Sequence, residues 1–443
     1  MRGGSQGVAA TGRSEKEKPL STRRRATRRA LLRAAEQCFL EEGYHATSVL
    51  KICKRASTAN GTFYLYFDSK DALYRELAGT MAENLEAALN RAIREGQDAV
   101  SRSEAVVQTL IDFIWRERAL FQIFREAEFV DRGLAHAFYE KLEKAFQGFF
   151  PDGGRRSRFG AVAYFLLGSV YFNAIHWALW KGRRPPRGLL PAILDFVREG
   201  LDPSGGFEPR PVDRIRLQMA TEMVGFRATA AQKGAMTRRK LLRAAEQCFG
   251  RAGYGNTSVS DITDATGVSV GSFYSHFKGK SEILEELVGE INRKLRTVVA
   301  LSVPEASDGR DMQIKALTAF LHFLGVHRGI YRIVREAEFN HKEVGVWYYR
   351  DLAADYSRGL TVAMGKGEIR AMDPEVLAYA LMGVGHFVGL RWILWEPEGA
   401  RVPGEILRDT VELMLRGIRG VTDRGATAGG APGGEARREA DSI

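Results

Sequence analysis

The sequence predicts an all-α protein built twice over. Three observations carry this. Apolar residues recur at helical spacing along nearly the whole chain, with no convincing alternating runs that would mark strands. Leu31–Phe39 (LLRAAEQCF) returns letter for letter as Leu241–Phe249, an offset of 210 (241 − 31). Each copy then carries a short aromatic, hydroxyl-rich segment, Thr58–Phe67 (TANGTFYLYF) and Val268–Phe277 (VSVGSFYSHF), each soon followed by a lysine, Lys70 or Lys280. The predicted architecture is two tandem units, each a helix-turn-helix head followed by a helical-bundle body.

Residues 1–22 are rich in Gly, Ser and charge and read as a disordered arm, which turns basic from Arg23 onward. A solubilising tail and an arm along a DNA backbone or minor groove both fit it. Helix one spans about Thr27 to Glu42, with Leu31, Leu32, Ala35, Cys38 and Phe39 on one face and Gly43 as its stop. Thr47 or Ser48 caps a second helix holding Val49, Ile52 and Cys53. After a turn near Ser57, the recognition helix runs from about Thr58 to Tyr66, and Ser69 caps a fourth helix whose first turn holds Asp71. This makes 23–75 the first head. Amphipathic segments near 70–95, 101–129, 134–149, 159–181 and 189–200 make a first body over 76–201. A Pro/Gly-rich linker opens at 202–211, and 212–227 fits a short connecting helix, so 202–232 joins the copies. The second head occupies 233–285 and the second body 286–420. Residues 421–443 read as a disordered tail. Late in the second copy the offset becomes 215, pairing Trp177 and Trp180 with Trp392 and Trp395, so a small insertion lies there.

The chain of 443 residues has a formal net charge of +11, which favours an anionic partner without proving one. Its 3 cysteines, Cys38, Cys53 and Cys248, lack disulfide or metal spacing and fit small core side chains. The N-terminus has no apolar core of a secretory signal. Residues 161–180 lack Asp, Glu, Lys and Arg and are long enough to span a bilayer, but the matching stretch in copy two carries His386 and Arg391. A buried bundle helix, and hence a cytoplasmic protein without a membrane partner, is the expectation. There is no nucleophile elbow, phosphate loop, metal-ligand spacing or dinucleotide fingerprint, so neither enzyme, metal nor cofactor is expected.

Two short helices joined by a tight turn suit the major groove of double-stranded DNA. Gly61 and Gly271 would let backbone approach bases closely, and glycine inside a helix costs roughly 1 kcal/mol against alanine, so something should compensate. Packing against a neighbouring helix is the competing explanation. Thr47, Thr62, Tyr64, Tyr66 and Lys70, with Thr257, Ser272, Tyr274, His276 and Lys280, fit phosphate contacts. Phe63, Phe67, Phe273 and Phe277 sit at core spacing.

Arg28, Leu32, Ala35, Phe39, Gly43-Tyr44, Thr47-Ser48, Ile52, Gly61-Thr62-Phe63-Tyr64, Phe67 and Ser69-Lys70 together resemble the DNA-binding domain of the TetR/AcrR regulators. Copy two is closer still, through Ser258–Ile262, Thr266–Ser269, Gly271–Phe277 and Lys280. The resemblance covers about fifty residues per copy. It implies a transcriptional regulator, most members being homodimeric repressors with one head per chain, so this chain looks like a covalently fused pseudo-dimer. It places base reading on Ala59, Asn60, Gly61, Thr62 and Tyr64, and on Ser269, Val270, Gly271, Ser272 and Tyr274. It places phosphate clamping on Thr47, Tyr66 and Lys70, and on Thr257, His276 and Lys280. Asn60 suits an adenine edge and Val270 only a thymine methyl, so the heads should read different half-sites.

Copy one departs from the family pattern, with Ser57-Thr58 where copy two has Gly267-Val268. Its second helix is basic (Lys51, Lys54, Arg55) where copy two has Asp261 and Asp264. Residues 21–75 hold 11 Lys+Arg against 5 Asp+Glu, net +6, and residues 231–285 hold 8 against 5, net +3. Head one is therefore expected to lean on backbone charge and head two on base reading.

In the bodies, Arg125–Phe129 and Arg335–Phe339 (REAEF) read best as local ion pairs at i, i+3 spacing; a pocket wall or a contact between copies is the alternative. Tyr171, His176, Trp177, His386 and Trp392 are candidates for a pocket holding a small apolar effector, with core and interface favoured. The resemblance makes a ligand-responsive repressor the leading reading. An activator, a ligand-independent regulator, a scaffold with degenerate heads and a further homodimer all stay open.

Overall fold

The computed structural model describes residues 22–149, 156–208, 217–218 and 233–428. The proposed arm (1–22, apart from Thr22) and nearly all of the proposed connecting helix (212–227) lie outside the described residues. The described secondary structure is helical throughout. Copy one contains α1 (Thr22–Ala46), α2 (Val49–Arg55), α3 (Asn60–Phe63), α4 (Lys70–Glu95), α5 (Ala99–Arg116), α6 (Arg118–Val130), α7 (Arg132–Phe146), α8 (Arg156–Ile175) and α9 (Leu189–Glu199). Copy two follows with α10 (Lys233–Ala252), α11 (Val259–Asp264), α12 (Val270–Tyr274), α13 (Lys280–Ser302), α14 (Gly309–Val326), α15 (Arg328–Asn340), α16 (Lys342–Gly365), α17 (Pro374–Gly389) and α18 (Gly404–Ala428).

The predicted stops and caps are present. α1 breaks at Gly43, whose φ of 77° suits glycine. Ser48 accepts from the Lys51 N–H and Ser69 from the Ala72 N–H. Three expectations change, the first at the end of copy two, where α18 runs on to Ala428 into the stretch expected as a disordered tail. Arg23–Arg29 belong to the first turns of α1 rather than to an irregular arm. The segment expected at 101–129 divides at Glu117, whose backbone (φ −104°, ψ 28°) leaves the helical region and turns α6 against α4 and α1.

The copies pack on each other chiefly through α8 and α17, with α9 and α18 beside them. The helices touch through backbone. A Cβ on Gly168 would fall 2.4 Å from the Val384 nitrogen, and one on Gly383 would fall 2.0 Å from the Gly168 carbonyl oxygen. These glycines are counterparts at the 215 offset, so the crossing lies on an approximate twofold axis. Across it Asn173 Nδ2 donates to the Val376 carbonyl (3.0 Å), and the Tyr379 hydroxyl meets His176 Nδ1 (3.1 Å). Copy one ends by adding Leu201 and Asp202 N–H groups to the Met414 and Leu415 carbonyls. Arg158–Trp180 and Pro374–Leu394 are long and apolar enough to cross a membrane, yet most of each is buried inside the protein. Both α8 and α17 close in a π-helical turn, His176–Trp180 and Leu390–Leu394.

Candidate nucleic-acid interface

The recognition helices are anchored from one side only. Phe63 and Phe67 are buried in head one, and Phe273 and Phe277 in head two. Positions i, i+1 and i+4 on the other side, Asn60, Gly61 and Tyr64, face solvent, as do Val270, Gly271 and Tyr274. Thr62, Tyr66, Ser272 and His276 are half-buried at the edges, and Ala59 and Ser269 are exposed. A Cβ on Gly61 or Gly271 would meet nothing within 4 Å. The packing explanation for these glycines therefore fails: nothing inside the protein needs the missing side chain.

Some residues expected at phosphates instead hold the heads together. Thr47 and Thr257 are buried, each hydroxyl donating to the carbonyl of Gly43 or Gly253 at 2.8 Å. Their side chains clasp the α1–α2 and α10–α11 turns, which corrects the expectation of an outward clamp. Lys70 Nζ donates to the Tyr44 and Thr47 carbonyls, both at 2.9 Å, and lies over the Tyr44 ring; Lys280 repeats this with Tyr254 and Thr257. Burial lowers the pKa of both lysines. Two of the three ammonium hydrogens are thus committed internally. Lys51 is exposed and pairs with Glu42 at 2.5 Å. Ser269 caps α12 through the Ser272 N–H.

The turn between the two short helices is the same in both heads. Thr58 N–H donates to Cys53 O and Val268 N–H to Thr263 O, counterparts throughout. Gly267 adopts φ 66°, and Ser57 adopts φ 52°, the only non-glycine residue with positive φ among the described residues. The missing glycine has not changed the turn. Thr58 fills the place of Val268, and its buried Oγ1 has no hydrogen-bond partner.

In each head a body carboxylate accepts the backbone N–H just past the break that ends the first helix. Glu126 Oε2 accepts the Tyr44 N–H (3.0 Å), just past the Gly43 break, and Glu336 Oε2 accepts the Tyr254 N–H (2.6 Å). Glu336 is also held by Arg332 (2.7 Å). Position 122, the counterpart of 332, is Gln122, which faces Arg125 instead. Burial accordingly pushes the Glu126 carboxyl up to about 8.

The neighbouring REAEF residues overturn the local-pair reading. Arg125 pairs with Glu338 (2.5 Å) and Arg335 with Glu128 (3.1 Å), so each arginine takes the carboxylate of the other copy. Phe129 faces Phe339 with ring centres 6.0 Å apart. The Tyr171 hydroxyl accepts from Arg125 (2.7 Å) and Arg335 (3.2 Å), and its ring stacks on its own counterpart, His386. Burial, then Arg335, holds His386 well below the usual histidine range. The repetition of REAEF in register was the one signal for this junction, since a motif kept whole in both copies suits a shared, mutual contact.

With this geometry in hand, comparison with known proteins decides the family. The profile described as "Bacterial regulatory proteins, tetR family" matches residues 31–77 and again 241–287, covering both heads. The chain belongs to the TetR family. It is a DNA-binding transcriptional regulator of the helix-turn-helix type, from a family without enzymatic activity. It is 27% identical over 188 residues to the uncharacterized regulator YdgC of Bacillus subtilis, covering 40% of this chain and 94% of YdgC. It is 20% identical over 349 residues to YxbF of the same organism, covering 74% and 88%. It is 31% identical over 100 residues to the transcriptional activator FasR of Mycolicibacterium smegmatis, covering 23% and 46%. A tetR-family regulatory protein of Rhodococcus RHA1 aligns in structure with TM-score 0.34 and 22% identity, over 42% of this chain and 96% of that one.

In this TetR-family chain a narrow apolar cleft is lined by Leu110, Phe138, Tyr139 and Tyr171 of the first body and by Phe387 of the second, with Arg125 at its wall. Of the five pocket candidates only Tyr171 lines it. Trp392 packs on Tyr164, His176 on Tyr379 and Trp177 under Lys181, as parts of the core and the contact between copies.

Proposed function

We propose that this regulator is a ligand-responsive repressor working as a fused pseudo-dimer whose two heads occupy unlike half-sites. The open space at Gly61 and Gly271 carries the reading: each helix keeps a destabilising residue that only an external partner can use. Base reading falls on Ala59, Asn60, Gly61, Thr62 and Tyr64 and on Ser269, Val270, Gly271, Ser272 and Tyr274. Tyr66, Lys51 and His276 would meet phosphates at the edges, and Lys70 and Lys280 each keep one ammonium proton for the same kind of contact. An apolar effector entering the Arg125–Tyr171 cleft would displace groups that join the copies, favouring a state with different head spacing. The activator reading keeps a place because FasR is named as one.

Selection of genomic fragments by the purified chain tests the proposal. Two unlike half-sites at fixed spacing are expected, with Gly61→Ala and Gly271→Ala each weakening binding while leaving thermal stability unchanged or slightly higher. A perfect palindrome, or glycine variants with unaltered affinity, would overturn it. A reporter fused to the recovered site separates repression from activation.

A further inference from the structure

The recognition faces differ sharply at a position outside the base-reading set. The turn that continues α3 keeps helical bonding, Leu65 N–H to Thr62 O at 3.2 Å. Leu65 is therefore i+5 from Asn60 and shares its face with Gly61 and Tyr64, opposite the buried Phe63 and Phe67. It is 70% exposed. Its counterpart is Ser275, whose hydroxyl returns to the Gly271 carbonyl at 3.1 Å. The same framework thus presents a bare isobutyl group in one head and a small, self-satisfied hydroxyl in the other.

An isobutyl group cannot donate to a phosphate, and pressing it on one would desolvate an anion with no hydrogen bond in return. In the major groove the base edges present donors and acceptors, and the apolar exception is the thymine 5-methyl. We propose that Leu65 packs on a thymine methyl in the half-site of head one, making it a specificity residue of that head alone; this rests on the two-head reading above. Leu50, 67% exposed on α2 beside the cationic Lys51 and Lys54, lies on the bracing helix and supplies the control.

The test uses the full chain on its selected operator, with each thymine of the head-one half-site replaced by uracil, which deletes only the methyl. One replacement should weaken wild-type binding about fivefold and leave Leu65→Ser unaffected. Leu50→Ser should keep the wild-type pattern, and Ser275→Leu should acquire a thymine dependence in the other half-site. Since Leu65 is exposed, Leu65→Ser should melt like the wild type. Identical uracil profiles for wild type and Leu65→Ser would overturn the proposal while leaving the two-head reading intact. Failure to enrich any operator would instead sink the two-head reading and this proposal with it.

Discussion

Head one and head two reach the same turn from different residues. Gly267 takes φ 66° at no steric cost, while Ser57 is held at φ 52° against its own preference. Val268 offers a methyl where Thr58 buries a hydroxyl without a partner. Head one is therefore the less comfortable version of a backbone dictated by α1, α4 and the body. The difference teaches that the frame, not the local sequence, sets this turn. Divergence between the heads has gone instead into what they show to DNA: cations and leucines in head one, capping acids and serines in head two. The Ser258–Asp261 capping box sits where head one has Ser48 and Lys51.

The comparison breaks most completely if the shared frame is removed. Glu338→Gln or Arg125→Met leaves a buried charge unpaired between the copies. Each should cost about 3–5 kcal/mol, read by denaturant unfolding, with both half-sites losing affinity together. Loss of one half-site alone would show that the heads do not share the junction.

The head–body ties should separate the heads by pH. Burial raises the Glu126 carboxyl to about 8 in the folded protein from its ordinary 4.5. Its folded form holds the proton more tightly than the unfolded form, so stability falls as pH rises between about 4.5 and 8. Glu126→Gln should therefore raise the melting temperature at pH 8 by several degrees, and little at pH 5. Glu336→Gln, which strips Arg332 of its partner, should lower it. Equal behaviour of the two variants would mean that the ties are equivalent.

Smaller effects should even out the turns. Thr58→Val removes an unsatisfied buried hydroxyl, worth roughly 1–3 kcal/mol. Ser57→Gly relieves a positive φ, worth about 1 kcal/mol, less the entropy that glycine adds to the unfolded chain. The reverse change, Gly267→Ser, should destabilise head two. Thermal unfolding of the full chain reads all three. The smallest effect is on DNA. Neutralising Lys51, Lys54 and Arg55 should flatten the salt slope of binding by about 0.9 per lost phosphate contact, equally on all sequences. An unchanged slope would remove head one's reliance on charge.

Much of this was legible in the sequence because it is written in periodic or repeated letters. The exact return of LLRAAEQCF, the apolar spacing of α1 and the Phe63/Phe67 anchor have few other readings. The rest depends on which of two partners a residue chooses. Arg125 can satisfy Glu128 along its own helix or Glu338 across the axis with the same chemistry, and only the packing of α8 on α17 decides. Gly168 and Gly383 look like two small residues among many in apolar helices until the backbones are seen to touch. Thr47 and Lys70 carry groups that suit phosphate equally well as a turn's own carbonyls. Trp177, His176 and Trp392 left a pocket open beside the favoured core and interface, because clustered rings fill a core as readily as they line a cleft.

The seating of Leu201 and Asp202 on the Met414–Leu415 backbone has a consequence for regulation in a growing cell. A regulator assembled from separate subunits loses its partner on dilution, and its occupancy of a site then falls with the square of its concentration. Here both heads travel in one chain, at an effective concentration that does not depend on how many copies the cell contains. For the fused pseudo-dimer proposed above, occupancy should follow the first power of the number of molecules, and a second-power dependence would show that two fused chains pair again.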